Sequence, residues 1–189
     1  DGAKKDELIA QDPKSAEIIK PILRGRDIKR YKAEFADLWL INSHNGIKGK
    51  FDRIDVEKDY PAIYQHLLQY EDRLKKRYDK GEHWTNLRNC AYLEEFEKEK
   101  IVYNDICQEL TFSLVEKSMY FNNTAYFIND NSYSLLAFLN SKIIDWYYRQ
   151  ISVQLGDKAV RMFSIYVENI PIPDISAEDQ APFVSLVEQ

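Results

Sequence analysis

Cysteine is nearly absent: among 189 residues there are only Cys90 and Cys107. Two thiols cannot staple a disulfide framework. They share no metal-ligand spacing with each other or with the three histidines, His44, His66 and His83, so the chain reads as a protein of the reducing cytoplasm. Glycine is scarce as well. Its six residues are scattered singly and never form the GxGxxG or GxxxxGK loops that cradle phosphates. No GxSxG nucleophile turn occurs. Six prolines without periodicity exclude a collagenous or low-complexity chain. No apolar run approaches the roughly 20 residues of a membrane span. The opening Asp1-Gly2-Ala3-Lys4 has neither a methionine nor an apolar signal core, and it reads as the start of a fragment of a longer polypeptide. An excess of positive charge is missing too. Lys and Arg number 26 against 31 Asp and Glu, a net charge of −5, which on its own argues against a polyanionic partner.

What is present changes that reading. Hydrophobic residues make up 44% of the chain, with 13 Tyr, 9 Phe and 3 Trp, enough to exclude disorder and to bury a core. Charge is unevenly spread. Residues 168–189 hold five acids and no base, so residues 1–167 balance at 26 − 26. Within them, residues 14–32 carry seven bases against two acids, and residues 73–88 carry six against two. Local sign decides where a polyanion sits. Each cluster also has a plainer explanation as a solvated helix face.

Hydrophobic spacing predicts a series of elements. Asp12-Pro13 starts a short helix that ends near Pro21. Residues 38–41 form a buried strand and residues 42–51 a polar loop. Asp59-Tyr60-Pro61 opens a long helix with Ile63, Tyr64, Leu67, Leu68, Leu74 and Tyr78 on one stripe, stopped by Gly81. The bases near its end suit the helix dipole without any ligand. Strands follow at residues 101–103, 119–121 and 125–128. Ser132 caps a second helix reaching about Arg149, with Leu135, Leu136, Phe138, Leu139, Ile143, Ile144 and Tyr147 as its core stripe. Residues 160–163 and 165–167 read as extended. Ser176-x-x-Asp179 resembles a capping box before a final helix. With no βαβ alternation, the pattern predicts an α+β fold with a small mixed or antiparallel sheet and flanking helices.

Catalytic tools are not visible. Asp27-Ile28-Lys29 matches the acid-x-Lys end of metal-dependent nuclease motifs, but such a tripeptide is common in a chain this charged, and an ion-paired surface strand explains it. No catalytic and no metal-ligating residue is assigned.

Several stretches in order carry a resemblance. They are Ile18-Ile19-Lys20-Pro21-Ile22-Leu23-Arg24-Gly25-Arg26-Asp27-Ile28-Lys29-Arg30-Tyr31; Tyr60-Pro61-Ala62-Ile63; Gly81-x-x-Trp84-x-x-Leu87-Arg88; Phe96-x-x-Glu99-Lys100-Ile101-Val102-Tyr103; Leu139-Asn140-Ser141-Lys142; and Ile170-Pro171-Ile172-Pro173. Together they resemble the TaqI-like C-terminal specificity domain of type IIG restriction–modification enzymes. The resemblance implies sequence-specific recognition of double-stranded DNA on behalf of a fused N6-adenine methyltransferase and endonuclease. It implies S-adenosylmethionine and Mg2+ for that parent and no cofactor for this fragment. The Asn-Pro-Pro-Tyr signature of adenine methylation is absent, so recognition carries over and catalysis does not. On this reading residues 1–173 are the recognition domain, residues 174–189 begin a C-terminal spacer helix, and the methyltransferase domain is the protein partner.

The DNA-binding candidates are Arg24, Arg26, Lys29 and Arg30; Lys75, Lys76 and Arg77; Trp84, Arg88 and Asn89; and Lys158 and Arg161. Arg reads guanine with two hydrogen bonds and Asn reads adenine, whereas any cation can hold a phosphate. Structural roles compete at several positions. Asp27 can pair with Arg24 or Lys29, Arg88 with Asp79 or Glu82, and Trp84 can simply pack. Two other functions stay open: a protein-interaction or scaffold domain, and a single-strand binder that stacks bases on Trp84 and the tyrosines.

Overall fold

The computed structural model describes residues 1–189. The chain folds as two units, one of residues Asp1–Pro21 and Asp37–Glu95, the other of Ile22–Ala36 and Phe96–Gln189.

The first unit begins with helix α1 (Gly2–Gln11), whose cap is the Asp1 carboxylate accepting from the Lys4 amide. Asp12 then caps a 3-10 turn, Pro13–Glu17, with proline at its first position as expected. That turn does not reach Pro21. From Ile19 the chain is a strand, β1 (Ile19–Leu23), with Pro21 inside it. The β-branched Ile18-Ile19 pair and the bias of the residue before a proline both favour extended backbone. In this unit β1 pairs antiparallel with β2 (Trp39–Ile41), in register Ile19↔Ile41 and Pro21↔Trp39. β2 is half-buried rather than buried.

The expected long helix is instead a set of short ones: α2 (Val56–Asp59), α3 (Pro61–Leu68) and α4 (Glu71–Lys75). Tyr70 leaves helical geometry at φ −119 and ψ 10, and the chain stops being helical before Tyr78, which is fully exposed. Gly81 is not the helix stop. Its amide donates to the Asn86 carbonyl, and a Cβ there would meet Asn45 Oδ1 at 2.5 Å and the Leu87 carbonyl at 2.6 Å, so glycine is needed for close approach. Leu8, Ile18, Ile19, Val56, Tyr60 and Ile63 form this unit's core.

In the second unit β3 (Lys100–Asn104) is followed by β4 (Ile106–Cys107), β5 (Phe112–Val115), β6 (Tyr120–Phe121) and β7 (Ala125–Ile128). β3 is central, antiparallel to β5 and β7. Strand alternation sends its side chains to two cores. Ile101 and Tyr103 join Phe112, Leu136, Tyr148, Val160 and Met162, whereas Val102 joins Leu23, Ile28, Val115 and Ala125. The end of β1 pairs parallel with β6.

Ser132 caps α5 (Tyr133–Leu139), accepting from the Leu135 amide. The helix does not run on to Arg149. It ends at Asn140 and restarts, capped by Ser141, as α6 (Lys142–Ile151). The break changes the phase of the stripe: Ile144 and Tyr148 are buried while Ile143 is 66% exposed. β8 (Gln154–Leu155) and β9 (Ala159–Arg161) form an antiparallel hairpin to which β4 adds. Residues 165–167, expected to be extended, lie in a helical turn, α7 (Ser164–Val167). α8 (Ala177–Glu188) is capped by Ser176, which accepts from the Asp179 amide and donates to the Asp179 carboxylate. It packs along α5. The architecture is α+β, with small sheets and flanking helices. No helix is long and apolar enough to cross a membrane.

Candidate nucleic-acid interface

In the first unit the segment after α4 is held by a polar lock. Asn86, fully buried, donates from Nδ2 to the carbonyls of Ser43 (3.2 Å) and Ile54 (2.9 Å) and accepts from Arg53 Nη1 at 3.0 Å. Arg77 Nη2 donates to the carbonyls of Trp84 (3.1 Å) and Asn86 (2.9 Å). Arg77 is therefore committed to holding its own loop. Trp84 is buried too, packed against Tyr64 at 5.9 Å and His83 at 5.5 Å, and its position is that of a packing residue without a free face for a base. Lys75 pairs with Glu71 at 2.8 Å. Asn89 accepts from Asn45 Nδ2 at 2.6 Å and is exposed. Lys76 and Arg88 are exposed and their side chains have no partner. Arg88 pairs with neither Asp79 nor Glu82.

In the second unit Arg24 and Asp27 close a 3-10 turn, Gly25–Asp27. Arg24 Nε and Nη2 reach the two carboxylate oxygens at 2.9 and 2.8 Å, and the Arg24 amide adds a third bond at 2.8 Å. This guanidinium holds the Asp27 carboxyl below the usual carboxylate range, and it answers which base Asp27 pairs with. Gly25 donates to Thr124 Oγ1, and a Cβ there would strike the Thr124 carbonyl at 2.3 Å. Lys29 Nζ donates to the Arg26 carbonyl at 2.7 Å. Arg30 Nη2 donates to the Asn140 carbonyl at 2.7 Å and lies over the Tyr31 ring. Arg161 is 3.8 Å from the Asp105 carboxylate and lies over Phe163. Arg26 and Lys158 are exposed and their side chains make no hydrogen bond or ion pair, although the Arg26 charge lies near enough to Asp27 to help hold its carboxyl down; Lys158 is beside the left-handed Gly156 of the β8–β9 hairpin (φ 64).

Sequence reasoning missed a groove beside Arg26 and Lys29. It has a volume of about 720 Å3 and is lined also by Asn104, Asp105, Ile106, Cys107 and Thr111. Three of its lining residues carry a side-chain oxygen that is buried out of reach of solvent and without a hydrogen-bond partner: Asn104 Oδ1, Asp105 Oδ1 and Thr111 Oγ1. Two are neutral and the third lies far along the chain from the basic clusters, so charge patterning had no means of finding them. Burial pushes the Cys107 thiol up to about 12, which keeps it protonated and unreactive. No group of three or more His, Cys, Asp or Glu side chains is arranged to hold a metal ion.

These features define a class: an α+β module that presents unpartnered cations beside loops pinned by buried polar bonds. The family is more specific. Residues 20–172 match the TaqI-like C-terminal specificity domain, and the chain belongs to that family, a specificity domain of restriction–modification enzymes. It is 26% identical over 194 residues to the type II methyltransferase M.MjaIV of Methanocaldococcus jannaschii, covering 97% of this chain and 63% of that protein. Its fold is shared with the type IIL restriction–modification enzyme MmeI, solved in complex with DNA, at a TM-score of 0.68 and 12% identity over 98% of this chain and 24% of MmeI. The type IIG restriction endonuclease BpuSI shares it at a TM-score of 0.57 and 13% identity, over 98% of this chain and 23% of that one.

Proposed function

We propose that this chain recognises a specific sequence in double-stranded DNA and directs a fused N6-adenine methyltransferase and endonuclease to it. The family match over residues 20–172 carries this reading. The surface supports it with a division of labour among the twelve candidates. Arg26, Lys76, Arg88 and Lys158 have side chains free to neutralise phosphates. Arg24, Arg30, Lys75, Arg77 and Arg161 are engaged within the fold, as is Lys29 through its ammonium, so these shape the surface before they bind. Asn89 stands beside Arg88 as an adenine reader. Residues 1–173 serve recognition, and residues 174–189 begin a C-terminal spacer helix. S-adenosylmethionine and Mg2+ belong to the rest of such an enzyme.

A scaffold role has one observation in its favour. A groove of about 560 Å3 lined by Leu135, Phe138, Ile172, Phe183, Asp130 and Asp179 is apolar and acid-rimmed, which suits protein better than phosphate. One experiment separates the two readings. Duplex DNA binding by the intact protein is titrated against salt. With about six phosphate contacts the log–log slope is near −5. Salt-independent or undetectable binding to every duplex overturns DNA recognition. A protein partner that survives nuclease and high salt favours the scaffold.

A further inference from the structure

We propose that Arg149 is a positioning residue of the DNA interface: its guanidinium fixes the β8–β9 hairpin so that Lys158 meets a phosphate in a preset place. This rests on the DNA-recognition reading and assigns part of the affinity to a side chain that does not itself touch DNA.

Arg149 stands in the last turn of α6 with 25% of its side chain exposed. Its donors go to three separate segments. Nε donates to Asp145 Oδ2 at 2.8 Å, one turn earlier on the same helix. Nη1 donates to the Lys158 carbonyl at 3.0 Å, in the turn of the hairpin. Nη2 donates to the Gln108 carbonyl, between β4 and β5, and to Asp145 Oδ1 at 3.3 Å. Asp145 also accepts the Leu110 amide at 3.0 Å, which holds the same β4–β5 connection. The Arg149 carbonyl accepts from Gln154 Nε2, on β8, at 2.8 Å. One residue therefore ties α6 to the β4–β5 connection and to both sides of the hairpin.

The hairpin needs such a tie. β8 has two residues and β9 three, and Gln154↔Val160 and Leu155↔Ala159 are the pairs that join them. A two-stranded ribbon is marginal in water by itself. β4 steadies the outer edge of β9 through Ile106↔Arg161 and Cys107↔Val160, away from the turn. The turn residues Gly156, Asp157 and Lys158 are exposed, and a Cβ at Gly156 would meet nothing within 4 Å, so packing does not hold them. The Arg149 bond grips the turn at Lys158 and leaves the ammonium of that lysine free. A cation on a loose turn loses part of its binding energy to ordering the turn, and a cation on a fixed one does not. Arg149 is not itself the phosphate ligand. Its charge is matched by Asp145, and four of its five N–H groups are bonded within the fold. A lysine in its place keeps the charge but has no planar fork to reach three groups at once.

The test is a double-mutant cycle on the intact protein, with duplex binding titrated against salt well below the unfolding transition. Lys158→Ala is expected to make the log–log slope shallower by about 0.9, one phosphate contact. Arg149→Ala is expected to make it shallower by up to the same amount, and adding Lys158→Ala to Arg149→Ala is expected to change it no further. Arg149→Lys, the milder variant should alanine unfold the domain, is expected to behave as Arg149→Ala despite its charge. Four results overturn the proposal and leave DNA recognition standing. Single shifts that add in the double variant, to about 1.8, show that Arg149 holds a phosphate of its own. A wild-type slope restored by Arg149→Lys shows that only its charge matters. A lowered Tm with an unchanged slope in both Arg149 variants shows that its bonds serve the fold alone. A wild-type slope in Lys158→Ala shows that the hairpin carries no phosphate contact to position. If the wild-type protein binds no duplex at all, the functional reading falls and takes this one with it.

Discussion

At the scale of single residues, several arginines of the basic clusters spend their donors inside the fold. Asp27 is 5% exposed and accepts three bonds from Arg24. Charge-assisted bonds to a buried carboxylate are among the stronger ones, so Asp27→Asn should lower stability by about 2–3 kcal/mol at neutral pH. The pH dependence has a definite sign. Because Arg24 depresses the folded-state value, the stabilisation is fully present above the ordinary carboxylate value of 3.8 and is lost as pH falls through the depressed one. Urea unfolding of wild type and variant should show a gap that closes in acid, and a pH-independent gap would refute the pairing. Asn86 makes the same kind of argument with a neutral side chain. Asn86→Ala takes the 3.0 Å acceptor from Arg53 and leaves the Ile54 carbonyl a single 3.4 Å bond from Arg53, while the Ser43 carbonyl keeps the Leu87 amide; the cost is about 1–3 kcal/mol, and the change should lower Tm together with the contribution of the neighbouring Arg88 to DNA affinity. A lowered Tm with an unchanged Arg88 contribution would show that the lock holds the core but not the loop.

At the scale of elements, what was legible in the sequence was local, and what was not depended on distant partners. Ser132 and Ser176 announced their helices because a cap bonds an amide three residues on. Strands β3 and β7 announced themselves by apolar, β-branched and aromatic runs. The break between α5 and α6 was marked only by Asn140-Ser141, a helix-ending residue beside a capping one, a signal that the continuous apolar stripe outweighs. It ends α5 because its side chain is occupied elsewhere: Nδ2 donates to the Phe112 and Leu136 carbonyls, and Oδ1 accepts from the Phe112 amide. Those bonds tie the helix end to β5, 28 residues back. Asn140→Leu should therefore cost about 1–3 kcal/mol, because the Phe112 amide loses its acceptor while the Phe112 carbonyl keeps only the Tyr31 amide. A helix-rich variant of unchanged Tm, measured by circular dichroism, would show instead that the break is a matter of propensity. The same logic explains Pro21, placed in a strand by pairing with β2. It also explains why the charge clusters were visible while their internal commitments were not: Arg30 spends a donor on Asn140, 110 residues away.

At the scale of the whole molecule, net charge misleads. The excess of −5 equals the five acids of residues 168–189, and the rest of the chain is neutral. A neutral surface binds a polyanion only where cations are free of acids, so the relevant inventory is unpartnered cations and not total ones. Arg26, Lys76, Arg88 and Lys158 belong to it. Arg24 and Arg77 do not, being held by Asp27 and by the carbonyls of Trp84 and Asn86. The two groups should separate in a plane of two measurements, unfolding free energy and salt slope. Each alanine replacement among these four candidates should leave stability within about 0.5 kcal/mol of wild type and make the log–log salt slope shallower by about 0.9, the value of one phosphate contact. Arg24→Ala and Arg77→Ala should lower stability instead. They should weaken DNA binding only as far as their loops loosen, with a slope that recovers at temperatures well below the transition. If all six variants fall on one line, free and held cations are equivalent on DNA, and side-chain partnership in the folded chain is no guide to which residues meet the phosphates.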